Sequence, residues 1–378
     1  MKAEKQNQFQ LNFKHDYSFD VVIIGAGPAG SLAATLLAEA GFSVAIVERK
    51  KFPRQKICGG FISSRAIDLL PKYMHSLFDK NFPVHTIEVV CRNKIHNYQS
   101  ERLLGFLVDR RSFDTGLIRH AVKSGVTVFE HKTLIALDTV SAGSKKNHYY
   151  HLQAGKNGHF TLAASYVIGA DGALGITALL AGLKRKRNRL MGNTLSRRYQ
   201  NTNNNKTAGK LIFYPMPFSG GMGWSFQAGE LLNRGIGGLS GKKRLQKLYS
   251  RLFSDSINED RPYFWPLPFL GPLENPACGN LLLIGDSAGL VEPFSGEGLY
   301  NAFKSAQLAV RAIIEADKLQ VDAETTYIPL YRRYFRKKFI FTIIGAIQLN
   351  LQAIFVPSTL ASSMARLMEN KLWFNDNI

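Results

Sequence analysis

Four apolar, mostly β-branched residues, Val21 to Ile24, run straight into a glycine cluster. Ser31 to Ala40 then repeats apolar positions at helical spacing and stops at Gly41. A second apolar run, Ser43 to Val47, follows. Strand, helix, strand in that order predicts a βαβ unit with parallel strands. Further on, Leu104 to Val108 predicts a strand, Ser112 caps a helix that ends at Ser124 and Gly125, and VTVFE predicts the next strand. Two alternating runs, His148 to Gln153 and His159 to Ala163, flank AGKNG and predict a hairpin, after which Tyr166 to Ile168 leads into GADG.

From Lys184 the pattern dissolves into a basic, Asn-rich stretch, KRKRNRLMGNTLSRRYQNTNNNK, which reads as a loop or boundary before a second lobe. Strands are expected there at Leu211 to Tyr214, Met222 to Gln227 and Arg234 to Leu239, then a helix near Lys242 to Phe253 and a Pro-rich turn, RPYFWPLPFLGP. The last third returns to α/β texture, with Leu281 to Ile284, GDSAG and a long helical pattern from Gly298 onward. Phe339 to Val356 is the nearest approach to a membrane segment. It carries Gln348, Asn350 and Gln352, so an amphipathic helix ended by Pro357 is expected, not a span. No internal repeat is visible.

The 378 residues suffice for two lobes, and 45% apolar with 11% aromatic content excludes a disordered or collagen-like chain. Charge changes the picture more: 48 Lys and Arg against 28 Asp and Glu leave +20, which points to anionic partners such as phosphate, phospholipid or nucleic acid. No aromatic-interleaved nucleic-acid motif appears, so no nucleic-acid partner is expected. Cys58, Cys91 and Cys278 have no metal-ligand spacing, which predicts neither a zinc site nor a disulfide framework. The first sixteen residues are polar and lack the apolar stretch of a signal peptide. A cytoplasmic protein is expected, either soluble or membrane-associated.

The strongest local chemistry is VVIIGAGPAGS. Gly25 would make the tight turn, Gly27 would let a pyrophosphate approach the backbone, and Gly30 would let helix and strand pack closely. Glu48, at the end of the second strand, would hold ribose hydroxyls. A second glycine-aspartate motif, LLLIGDSAGLVEPFSGEGL, lies far downstream, and this pairing separates FAD enzymes from simple nicotinamide dehydrogenases.

Here the chain resembles FAD-dependent enzymes of the p-hydroxybenzoate hydroxylase fold. The resemblance implies an α/β architecture: an FAD-binding Rossmann-like domain of glutathione reductase type, a second mixed β-sheet substrate domain and C-terminal helices. The implied boundaries are 18–74, 105–185 and 277–320 for FAD, 75–104 and 186–276 for substrate, and 321–378 for the helical region. Cofactor contacts are implied for Gly25, Gly27, Ala29, Gly30, Glu48, Arg49, Arg110, Leu134, Asp286, Gly296, Gly298 and Leu299. Asp286 would bond the ribityl chain, Arg110 would fork onto phosphate, Leu134 would meet adenine through its backbone, and the helix start at Gly296 to Gly298 would face the flavin N1 and C2 carbonyl. Gly169 to Gly172, GADG, resembles the DG motif of the same fold.

Within that fold, FPRQKICGGFISSRAIDLL resembles the K-x-C-G-G loop of the geranylgeranyl reductase family, placing Cys58 and Gly59 against the flavin. GGMGWSFQAGELLNRGIGG resembles the family's Y-x-W-x-F, G-x-G segment, which implies substrate contacts for Trp224, Phe226, Gly235 and Gly237. Met222 stands where the family has tyrosine, and Gln307 stands where GEGLYNAFKSAQ should end in glycine.

Three functions follow from the resemblance. The first is reduction of C=C bonds in a prenyl or isoprenoid lipid, with NAD(P)H or another electron donor as reductant. In it Cys58 is either the proton donor or a small residue that lets its loop pack. The second is an oxygen-dependent flavin monooxygenase of an aromatic or polyketide-like molecule; the third is a non-catalytic flavoprotein at a membrane surface. The basic run YRRYFRKK before 339–356 fits peripheral membrane contact through 331–356 or a solvated cap on the substrate lobe.

Overall fold

The computed structural model describes residues 15–369 apart from 57, 80–81, 142–147, 156–158, 184–190, 201–208, 217–220, 254–262, 269–271 and 293–295. The polar N-terminal tail, most of AGKNG and the first half of the 184–198 basic stretch therefore lie outside the described residues.

The expected βαβ unit is β1 (Tyr17–Ile24), α1 (Pro28–Glu39) and β2 (Val44–Glu48), with β1 and β2 parallel from Val21 and Val44 onward. Pro28 at the first helical turn pre-sets the backbone of α1. After the CGG loop come β3 (Phe61–Ser63), α2 (Ser64–Ile67), β4 (Phe82–Val84), β5 (Thr86–Cys91), β6 (Lys94–Gln99) and β7 (Gly105–Leu107). The chain returns through α3 (Arg110–Lys123), β8 (Thr127–Glu130), β9 (Leu134–Ser141), β10 (His148–Gly155), β11 (His159–Gly169) and α4 (Thr177–Leu180). A second excursion makes β12 (Met191–Gln200), β13 (Lys210–Met216), β14 (Gly221–Ala228), β15 (Leu231–Gly238), α5 (Lys242–Leu252) and β16 (Tyr263–Pro268). The last elements are β17 (Ala277–Cys278), β18 (Leu281–Leu283), α6 (Leu299–Leu319), α7 (Ala323–Phe355) and α8 (Leu360–Glu369).

Two large sheets result. One runs β17-β18-β11-β1-β2-β8, with the β9–β10 hairpin paired onto β11; the other runs β16-β12-β15-β14-β13-β5-β6. A small sheet, β3-β7-β4, stands between them in the chain. The first sheet is buried on both faces: Val21, Val22, Ile23 and Ile46 have no exposure, with α1 packed on β1 and β2 and α7 on β17 and β18. Side chains hidden on both faces produce the continuous apolar runs of a parallel sheet.

Three expectations are corrected. Asp109, not Ser112, caps α3: its carboxylate accepts from the N–H groups of Arg111 and Ser112. Ser112 lies one turn inside, where its hydroxyl donates to Asp109. The polar stretch read as a boundary contains β12, which pairs with β15 and β16 in the second sheet, one strand in from its edge. Its alternation is masked because long polar side chains do the packing: Arg197 lies over Tyr249, Tyr199 bonds the Tyr249 hydroxyl, and Arg198 pairs with Asp109 at 3.0 Å. The Pro-rich turn contains β16, an edge strand, where prolines leave no ladder hydrogen bond unmade in the interior.

Candidate functional site

The carboxyl ends of β1, β2 and β18 and the N-termini of α1 and α6 open onto one elongated cavity of about 520 Å3. Ligands of open α/β sheets bind outside the carboxyl ends of the strands. Gly25, Gly27, Ala29, Glu48, Arg49, Cys58, Gly59, Arg110, Leu134, Trp224, Phe226, Gly237, Asp286, Gly296, Gly298 and Leu299 all line it. Gly30 and Gly235 do not.

At the nucleotide end, Gly25 takes φ +105°, and a Cβ there would lie 2.5 Å from the Ala170 carbonyl oxygen. A Cβ on Gly30 would meet the Gly25 carbonyl at 2.0 Å, so this glycine serves helix–strand packing and faces no ligand. No side chain caps α1 at Gly27, which leaves its first-turn N–H groups bordering the cavity for an anion. Glu48 is buried, and its two oxygens accept from the N–H groups of Ala26 (2.8 Å) and Lys50 (2.9 Å). The carboxylate therefore fixes the glycine turn first and keeps spare lone pairs for ribose hydroxyls.

Arg110 lines the cavity while its guanidinium forks onto Asp114 (2.8 and 3.1 Å) and lies beside the Cys58 thiol, so part of its donor set holds the CGG loop and α3 together. Arg54, also at Asp114 (3.5 Å), approaches the glycine turn through the Ala26 carbonyl. Lys56 lies over Trp265 at 4.8 Å. Burial, opposed by Asp286 and reinforced by Arg110, pushes its ammonium pKa below the ordinary value.

The CGG loop is clamped from the substrate sheet. Trp224 Nε1 donates to Asn233 Oδ1 at 2.7 Å, and Asn233 Nδ2 donates to the Cys58 carbonyl at 2.9 Å. A Cβ on Gly59 would lie 2.9 Å from the Phe226 ring, and one on Gly235 would lie 2.1 Å from the Trp224 indole. Gly235 is thus the floor beneath Trp224 and no substrate contact. Asn233 and Asp114 carry the clamp, yet no sequence signal marked them, because the segments they tie together, Asn233 to Cys58 and Asp114 to Arg54, are far apart in the chain.

Beyond the clamp the cavity turns apolar between Phe213, Met222, Trp224 and Phe226 of the second sheet and Leu349, Ala353 and Leu360 of α7 and α8. Met222, which stands where the resembled family has tyrosine, adds a thioether to this wall. Gln307 uses its side chain as a strut, donating to the Leu69 carbonyl at 2.8 Å.

The glycine cradle, the uncapped helix start, Glu48 and Asp286 together suit a dinucleotide carrying a flavin. The family model for the FAD binding domain matches residues 18–202. Digeranylgeranylglycerophospholipid reductase of Methanocaldococcus jannaschii is 28% identical over 335 residues, 85% of this chain and 83% of that protein. The corresponding reductase 1 of Methanopyrus kandleri is 29% identical over 348 residues, covering 85% and 87%. Among solved structures, a geranylgeranyl bacteriochlorophyll reductase-like protein from Thermoplasma acidophilum superposes with a TM-score of 0.78 at 21% identity, covering 94% of this chain and 92% of that one.

The chain is an FAD-dependent oxidoreductase, similar along most of its length to geranylgeranyl-type reductases.

A PqsL variant from P. aeruginosa also superposes on this flavoprotein, with a TM-score of 0.72 at 14% identity over 92% of this chain and 99% of that one. At that identity it shares the fold alone.

Proposed function

We propose that this flavoprotein reduces carbon–carbon double bonds of a prenyl or related isoprenoid lipid taken from a membrane. The observation that carries the reading is the continuity of one cavity from the glycine cradle, past the clamped CGG loop, into an apolar end walled by Phe213, Met222, Phe226, Leu349 and Leu360. An alkene chain buries only apolar surface there, worth about 0.8 kcal/mol per methylene. The names of the methanogen relatives agree with such a substrate.

Gly25, Glu48 and Asp286 would hold FAD, which in its reduced form would supply the hydride, with NAD(P)H or another donor as the source of electrons. The chain's own part is to orient the alkene, exclude water and deliver the matching proton. Trp224 and Phe226 press on the CGG loop and exclude water. Cys58 lines the cavity with its thiol beside Arg110 and is the proposed proton donor, regaining its proton from solvent.

Substrate delivery is assigned to α7. Ile340, Ile344, Ile347, Leu351 and Phe355 recur at helical spacing and are 50–74% exposed, while Leu349 and Ala353 of the same helix wall the cavity. By length and composition alone α7 could cross a membrane. Its packing against α6 and its buried Tyr327, Tyr331, Phe335 and Phe339 favour a helix lying on the surface. Exposed Arg332, Arg333 and Arg336 precede the apolar face, and Arg92 bonds the Ile354 carbonyl at the far end. Basic residues at both ends suit an anionic, cytoplasmic leaflet.

The test is anaerobic single turnover of the pre-reduced enzyme with a geranylgeranyl lipid. Saturated product is expected, with Cys58→Ala slowed on the order of 10²-fold. A reduced enzyme that saturates no prenyl chain would overturn the proposal, and oxygen-dependent hydroxylation would decide for a monooxygenase.

A further inference from the structure

Beside the Gly296–Gly298 turn lies a cluster of five ionisable side chains that the reaction above does not use: Arg65, Glu292, Glu297, Lys304 and Lys338. All are largely withdrawn from water; Lys338 is only 3% exposed, although it sits in the basic run of α7 whose Arg332, Arg333 and Arg336 are solvated. A lysine is almost never buried unless something holds its charge.

Here several groups do. Lys338 Nζ donates to Asn301 Oδ1 at 2.8 Å and stands 3.9 Å above the Tyr300 ring. Asn301 Nδ2 donates onward to the Leu290 carbonyl at 2.7 Å, next to Val291 in the cavity wall. Tyr300 carries a second cation, the Arg65 guanidinium at 4.8 Å, and its hydroxyl bonds that of Tyr334, which has Lys304 at 4.7 Å. Arg65 pairs with Glu297 at 2.5 Å and faces Glu292 at 3.6 Å. Glu297 is the residue between the two glycines that line the cavity at the start of α6.

A helix that presents an apolar face outward is therefore bolted, through one buried ammonium, to the turn against which the flavin pyrimidine edge would rest. The charge itself cannot be neutral to that edge. Buried and poorly screened, it favours any state of the ligand that carries more negative charge, and a reduced flavin carries more than an oxidised one.

We propose that Lys338 is a positioning residue for the flavin: through Asn301 and Tyr300 it holds the Gly296–Gly298 turn, and its buried positive charge biases bound FAD toward the reduced form. The inference rests on FAD occupying the cavity as described, and Glu297 is its counterweight of opposite sign.

The experiment measures the two-electron midpoint potential of the purified holoenzyme by dye equilibration, with thermal stability recorded in parallel. Lys338→Met is expected to weaken the preference for reduced over oxidised FAD about tenfold, a fall of about 30 mV. Glu297→Gln, which removes the opposing charge, shifts the potential upward. Lys318→Met, at an exposed lysine on α6, leaves it unchanged. Should Lys338→Met fail to fold, the upward shift of Glu297→Gln still decides. Variants that lose stability while their bound flavin keeps the wild-type potential would overturn the proposal, since a purely structural lysine predicts that result. A wild-type protein that purifies colourless and binds no added FAD would overturn the flavin reading itself.

Discussion

At the scale of single residues, the site is organised by side chains that brace turns and tie separate segments together. Glu48 braces Ala26 and Lys50, Arg110 braces Asp114 and the CGG loop, and Asn233 joins Trp224 to Cys58. Glu297 shows how burial and pairing compete. Burial alone would raise its pKa, but Arg65 above all, with further help from Ser63 and Lys338, holds it below the ordinary 4.5. A carboxylate with a depressed folded pKa stabilises the fold fully above its unfolded pKa, and that stability is lost as pH falls through the folded value. Glu297→Gln is therefore expected to be less stable than wild type at pH 7. The gap in urea midpoint should close as pH drops below 4.5. A gap that stayed constant down to pH 3 would mean that folding does not depress this carboxylate's pKa.

At the scale of elements, α7 does three jobs along 33 residues. Its first turns bury Tyr327, Tyr331 and Phe335 in the core, its middle buries Lys338 against Tyr300 and Asn301 of α6, and its second half divides into a cavity-lining side and an outward apolar side. Replacing both Ile344 and Ile347, each more than half exposed, by Glu should leave folding intact. Co-sedimentation with anionic vesicles is expected to fall at least tenfold, and wild-type binding should weaken with salt, because each exposed arginine contributes about 1 kcal/mol near such a surface. Equal sedimentation of variant and wild type would refute the surface role of this helix. The second sheet teaches a complementary lesson about elements. β12 is paired on both sides in its sheet although its sequence, MGNTLSRRYQ, reads as a polar linker, because α5 supplies the Tyr249 ring on which its Arg197 packs.

At the scale of the whole molecule, neither sheet makes the cavity alone: the first contributes the glycine cradle and Asp286, the second Phe213, Trp224 and Phe226, and the C-terminal helices close the apolar end. A ligand that bridges these layers stabilises the folded state by mass action, about 2.7 kcal/mol at a hundredfold excess over its dissociation constant. Saturating FAD should accordingly raise the melting temperature, and Asp286→Ala should blunt the rise; an unchanged rise in that variant would remove Asp286 from the cofactor site. Much of this was legible beforehand where the chemistry is local. A dinucleotide turn must be glycine-rich, must follow a strand and must open a helix, so VVIIGAGPAGS and Glu48 declared the cradle, and the continuous apolar runs declared a sheet buried on both faces. The chain could not declare where long side chains would spend their hydrogen bonds. That Arg110 turns to Asp114, that Gly235 serves Trp224, that Lys338 is buried while Arg336 is solvated, and that α7 walls the same cavity that begins at Gly25 are consequences of contacts between residues up to hundreds of positions apart. Local pattern determines which elements form; only their packing decides which polar group meets which, because a buried charge takes whatever partner the assembled layers bring within a few ångströms.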